Sequence, residues 1–78
     1  MDKFISAFPA GKSEELRIHI RQLRGHAVVD MRVWSSLKPD GEKIPTGKGV
    51  TVPASRLEDL KQAVLAAEVS LKETCLPS

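Results

Sequence analysis

A chain of 78 residues, 41% hydrophobic and 28% charged, makes one small domain near the lower limit for a self-sufficient apolar core. Its single cysteine, Cys75, excludes an intramolecular disulfide and a cysteine metal cluster and points to a reducing cytoplasm, so a core this small is expected to gain stability by oligomerising. The net charge of +2 says little by itself, but residues 1–52 carry nine Lys/Arg against six Asp/Glu, while residues 53–78 carry three against four.

Residues 1–13 contain Pro9, Gly11, Lys12 and Ser13 and show no sustained period, so they read as an arm that Phe4 and Phe8 pin to the body. The apolar run Phe4 to Ala10 is broken by Ser6 and Pro9 and has neither the length nor the flanks of a signal peptide or membrane span.

Two strands in one code follow. Leu16, Ile18 and Ile20 alternate with Arg17, His19 and Arg21, and Ala27, Val29, Met31 and Val33 alternate with Val28, Asp30, Arg32 and Trp34. Successive side chains of a strand point to opposite faces, so each strand has an apolar face and a largely polar, cationic one. Arg24-Gly25 suits a hairpin loop of two or four residues. Folding there sets Leu16 opposite Val33, Ile18 opposite Met31, Ile20 opposite Val29, His19 opposite Asp30 and Arg17 opposite Arg32. Like charges directly opposite destabilise a sheet, so this face is expected to await an anion, and removing Arg32 is expected to relieve the free protein. Four arginines against one aspartate, with Trp34 on the same face, suggest a nucleic-acid platform.

Ser35 to Gly41 reads as a loop, with Pro39-Asp40-Gly41 as its turn signal. Glu42 to Thr46 is an expected edge strand, confined there by Pro45; Gly47-Lys48-Gly49 is expected to reverse the chain, and Val50 to Val52 to form a short fourth strand. A helix is predicted from about Ala54 to Lys72, with Pro53 before it and Ser55 and Glu58 spaced as a capping box. Leu57, Leu60, Val64, Ala67 and Leu71 share one stripe, expected to cover the sheet's apolar face; Leu65 and Val69 form a second patch, expected to meet a partner helix. Pro77 ends the domain, which divides as arm 1–13, body 14–72 and tail 73–78.

Nothing in this pattern supports catalysis. His19 and His26 lack a Cys or carboxylate set at metal-ligand spacing and a nucleophile in a recognisable context. Gly41 to Lys48 fails the phosphate-loop pattern, because five residues separate Gly41 from Gly47 where four are needed, and Gly49 stands where Ser/Thr should. A lone tryptophan is usually a core residue, but alternation sets Trp34 with Arg32 and Asp30, which favours an exposed stacking role. Polar strand residues are normally a solvated face; four cations of one sign over one hairpin shift that reading toward a ligand. Asp30 reads as structural, pairing with His19 or orienting an arginine, while Lys43 and Lys48 read equally as surface lysines or contacts, and Cys75 as an incidental thiol.

The run Arg21-Gln22-Leu23-Arg24-Gly25-His26-Ala27-Val28-Val29-Asp30-Met31-Arg32-Val33-Trp34, with Pro39-Asp40-Gly41-Glu42 and Lys48-Gly49-Val50, resembles the single-stranded-DNA-binding domain of the positive cofactor 4 transcriptional coactivators. The likeness extends over about residues 12 to 72. It implies an α+β fold, a four-stranded antiparallel sheet followed by a C-terminal helix, with homodimers formed through the helices and grooves for single strands. Positions matching the family's DNA contacts are Leu23 and Arg24 at the hairpin tip, His26 after it, Arg32, and Lys48, with Lys12 matching a basic contact before the first strand. The family's aromatic at the tip is Leu23 here, a second aromatic is Ser35, and an expected basic residue falls on Ile44 beside Lys43. The compact form resembles a bacterial or phage version.

These readings converge on a homodimeric, sequence-tolerant single-stranded-DNA-binding protein, cytoplasmic and nucleoid-associated, acting in transcription or DNA maintenance without a cofactor. Its expected contacts are Lys12, Arg17, Arg21, Leu23, Arg24, His26, Arg32, Trp34, Lys43 and Lys48, with Leu65 and Val69 at the dimer interface. Two rivals stand beside this reading: an RNA-binding module with the same surface, and a protein-interaction adaptor that contacts transcription or repair machinery and binds DNA only weakly.

Overall fold

The computed structural model describes residues 2–36 and 41–74. Four antiparallel strands, β1 (Asp2–Gly11), β2 (Glu14–Leu23), β3 (His26–Ser35) and β4 (Ile44–Pro53), lie in the order β1-β2-β3-β4. A single 3₁₀ turn, Ala54–Arg56, leads into helix α1 (Leu57–Thr74).

The β2–β3 hairpin has the expected register: Leu16 faces Val33, Ile18 faces Met31, Ile20 faces Val29, His19 faces Asp30 and Arg17 faces Arg32. Leu23 pairs with His26, leaving a two-residue turn in which Arg24 (φ 53°) and Gly25 (φ 81°) both take positive φ. Two-residue turns with that backbone match the twist of the strands they join. Gly25 adopts it without steric cost, and Arg24 takes the strain.

Three expectations change. Most of the expected arm at 1–13 is strand β1, paired with β2 along its length. Register shifts between Phe4 and Ser6 and between Pro9 and Gly11 break its alternation, which is why no period shows in the sequence. Pro9 fits because β1 is an edge strand. Glu42 to Thr46 and Val50 to Val52 are not two strands, because Gly47-Lys48-Gly49 does not reverse the chain and β4 runs through it. The extra residues are absorbed where Pro45 faces Trp34 and Gly49 faces Arg32. Gly49 is required there: a Cβ would stand 2.6 Å from the Met31 carbonyl oxygen and 2.9 Å from the Arg32 Cα. The sheet still has four strands, with β1 supplying the one that β4 does not.

The third change concerns the helix. It does not cover its own sheet. None of its residues is buried, it makes no extended contact with any strand, and Leu57, Val64, Leu65, Val69 and Leu71 are all exposed. Leu16, Ile18, Ile20, Val29, Met31 and Val33 on the sheet's apolar face are only half-buried. Among the described residues only Val28 and Asp30 are buried, so the molecule is a slab of 39 × 36 × 18 Å with an apolar sheet face and an apolar helix both open. No capping box forms, since no side chain caps the 3₁₀ turn and Glu58 accepts from Gln62 Nε2 at 2.7 Å. The Pro39-Asp40 part of the expected turn, and Cys75 and Pro77, lie outside the described residues.

Candidate functional site

The polar face is organised around Asp30. Its carboxylate is nearly inaccessible, at 6% side-chain exposure, in the middle of β3. It accepts from Arg32 Nη2 at 3.0 Å and Nε at 3.4 Å, and from Thr51 Oγ1 at 3.3 Å, and Arg21 Nη1 stands 3.6 Å away. Burial pushes the Asp30 carboxyl upward, but the Arg32 hydrogen bond and charge, the Thr51 hydroxyl and the Arg21 charge outweigh it and hold the carboxyl below its ordinary range. Arg32 is further fixed by donating from Nη1 to the Thr46 carbonyl at 3.1 Å. Thr46 is itself held, donating from Oγ1 to the Val33 carbonyl at 2.7 Å and accepting from the Lys48 amide at 3.1 Å.

The other half of the face is aromatic. The Arg17 guanidinium carbon lies 4.3 Å from the centroid of the Trp34 ring, and His19 stacks parallel to Trp34 at 5.8 Å with 13° between planes. Phe4 of β1 meets His19 edge-on at 5.5 Å. His19 Nδ1 bonds Asp2 Oδ1 at 3.0 Å, and Arg17 Nε donates to Glu15 Oε1 at 2.6 Å. His19 Nε2 and Trp34 Nε1 are buried without a partner.

Arg17 and Arg32 are thus not an unrelieved like-charge pair. Each binds the carboxylate two residues earlier on its own strand, Glu15 and Asp30 respectively. Asp30 orients the arginines, while His19 takes Asp2, which sequence reasoning left in an arm. Trp34 is neither core nor an open platform: it is half-buried under Arg17. Leu23, Arg24 and His26 sit together at the exposed hairpin tip, at the far end of β3 from Trp34, and Arg21 is 55% exposed beside the tip. Lys12 is exposed in the β1–β2 turn, Lys43 is half-buried ahead of β4, and Lys48 is 77% exposed, 3.9 Å from Glu14. Leu65 and Val69 are exposed on the helix. Asp2, Phe4, Glu15 and Thr46 are the site residues that sequence reasoning missed. The Thr46 role follows from the β4 bulge, and those of Asp2 and Phe4 from recognising β1 as a strand.

A four-stranded antiparallel meander, a trailing helix left open, and a sheet face of paired arginines and stacked rings define a small binding module. The model of the Transcriptional Coactivator p15 (PC4) family matches residues 10–63, and the chain belongs to that family of DNA-binding, coactivator-like proteins. Among solved structures it is similar to a PC4 homologue from Burkholderia pseudomallei. The tetragonal crystal form gives a TM-score of 0.76 at 28% identity over 87% of this chain and 98% of that one. The orthorhombic form gives 0.74 at 29% over 85% and 88%. A bacteriophage T5 homologue of the eukaryotic coactivator, implicated in recombination-dependent DNA replication, gives 0.60 at 26% over 94% and 80%. No curated protein sequence matches.

Proposed function

We propose that this chain is a sequence-tolerant single-stranded-DNA-binding protein that works as a homodimer in transcription or DNA maintenance, associated with the nucleoid. The observation that carries this reading is the shared face on which Arg17, Arg21 and Arg32 flank His19 while Arg17 and His19 lie against the Trp34 ring. Arg32 and Arg17, each held by a carboxylate, set the shape of the face. The exposed cations Arg21, Arg24, Lys12 and Lys48 take the phosphates, with Lys43, Leu23 and His26 at the rim. Unpaired bases alone expose ring faces to the part of Trp34 that Arg17 leaves uncovered, which favours single strands over duplex. DNA rather than RNA is supported by the phage relative's link to DNA replication.

Dimerisation is supported by what the protomer leaves open. A slab with two buried residues among those described lacks the apolar burial that a stable small domain needs. A second copy would bring Leu65 and Val69 helix to helix and cover the apolar sheet faces. A coactivator-like role then adds contact with transcription machinery. The test is competition for a fluorescent oligothymidine by unlabelled DNA strand, matched RNA strand and duplex. The DNA strand should compete best and Trp34 emission should fall on binding. Preference for RNA, or no binding at physiological salt, would select the RNA module or the adaptor instead.

A further inference from the structure

We infer that Phe4, on the N-terminal strand, is a second base-stacking surface of this protein and extends the aromatic row of the basic face from β3 across to β1. The inference rests on the single-strand-binding reading above and deepens it. Even-numbered residues of an unbroken strand share one face, so Phe4, Ser6 and Phe8 would point the same way. In β1 they do not. Phe4 pairs with His19 and Ser6 with Ile18, so the register shift at Ile5 turns Phe4 onto the polar face, while Phe8 opposite Leu16 stays on the apolar one. Bulges of this kind re-aim side chains beside functional sites.

The shift turns an apolar ring, 56% exposed, toward the face that carries Arg17, His19, Arg21, Asp30, Arg32 and Trp34. Burial does not explain it, since more than half of the residue is in water. On β2 the two nearest positions on the same face are Arg17 and Arg21, on either side of the His19 that Phe4 touches. Both guanidinium groups reach toward β3, Arg17 over Trp34 and Arg21 to within 3.6 Å of Asp30, so the apolar ring stands on the β1 side of a cationic face with Arg21 more than half exposed, an arrangement that fits a nucleobase with its phosphate nearby. Asp2, two residues before Phe4 on the same strand, is engaged by His19 Nδ1 at 3.0 Å. Phe4, His19 and Trp34 follow one another at centroid spacings of 5.5 and 5.8 Å, a row running across the strands rather than along them. Phe4 lies outside the segment matched by the family model.

The experiment compares the full chain with Phe4→Ala, Phe4→Leu, Phe4→Tyr and the double variant Arg21→Gln/Lys48→Gln, titrating fluorescent oligothymidine and recording circular dichroism for each. Phe4→Ala and Phe4→Leu should weaken binding between about fivefold and a hundredfold with unchanged dichroism, and Phe4→Tyr, which keeps the ring, should bind within about twofold of the parent. Leucine keeps apolar bulk against His19, so its loss of affinity is loss of the ring. Parent-like binding by the Ala and Leu variants, with the double variant weakened, overturns the inference and leaves the functional reading standing. Loss of sheet signal in both assigns Phe4 to folding and overturns it too. A parent protein that ignores oligothymidine removes the functional reading itself.

Discussion

Arg32 lies back along β3 onto Asp30, two residues before it, with Nη2 3.0 Å and Nε 3.4 Å from the two carboxylate oxygens. The pair converts an apparent liability of the sheet into a support. Arg32→Ala should therefore not relieve repulsion with Arg17. It should leave a carboxylate of 6% exposure with only Thr51 and the more distant Arg21, at a cost of about 2 kcal/mol. Urea denaturation at fixed protomer concentration measures this, and an unchanged or raised midpoint would contradict it.

The same carboxyl makes stability depend on acid. In the folded chain Asp30 titrates below its unfolded value of about 3.9. Its contribution is therefore complete above about pH 4 and is lost as the pH falls through the folded pKa. Between pH 7 and 3 the parent's urea midpoint should fall, and the midpoint of Asp30→Asn should fall less. Parallel curves would mean Asp30 carries no such contribution.

Gly49→Ala should destabilise the protein by roughly 1–3 kcal/mol, because its Cβ would meet the Met31 carbonyl oxygen and the Arg32 backbone, which a flexible side chain cannot vacate. Gly47→Ala, with nothing within 4 Å of its Cβ, should stay within about 0.5 kcal/mol. Equal effects in thermal unfolding would place the tight approach elsewhere.

How legible this was depended on local regularity. The hairpin could be read because Leu16 to Ile20 and Val29 to Val33 alternate without interruption and Arg24-Gly25 suits only a tight turn, so the cross-strand pairs followed one by one. β1 could not, since its bulges place Phe4 and Phe8 on opposite faces and erase the period. The glycines of β4 looked like a reversal, whereas Gly49 serves a close approach of two strands that no local pattern announces. The helix stripe was read correctly as apolar, but its cover was sought within one chain, and the protomer leaves Leu57, Val64 and Leu71 open. Glu15 beside Arg17 was invisible because strand neighbours two apart point the same way without being forced to touch.

The proposed dimer predicts that Leu65→Glu shifts the scattering mass toward monomer at micromolar concentration and lowers the unfolding midpoint, because association with a second copy stabilises a folded state. The parent should scatter as a dimer. A monomer mass for the parent would show that the open helix has another use.

Single-strand binding by this face should weaken steeply with salt. Arg21, Arg24, Lys12 and Lys48 are the exposed cations assigned to phosphates, whereas Arg17 and Arg32 are held by carboxylates. With on the order of four phosphates neutralised per protomer, log K for oligothymidine should fall with log salt at a slope of about −3 per protomer. That slope should shrink by about 0.7 for each of those cations replaced by glutamine. A flat salt dependence, or a slope indifferent to all four replacements, would contradict the claim that this face binds the strand.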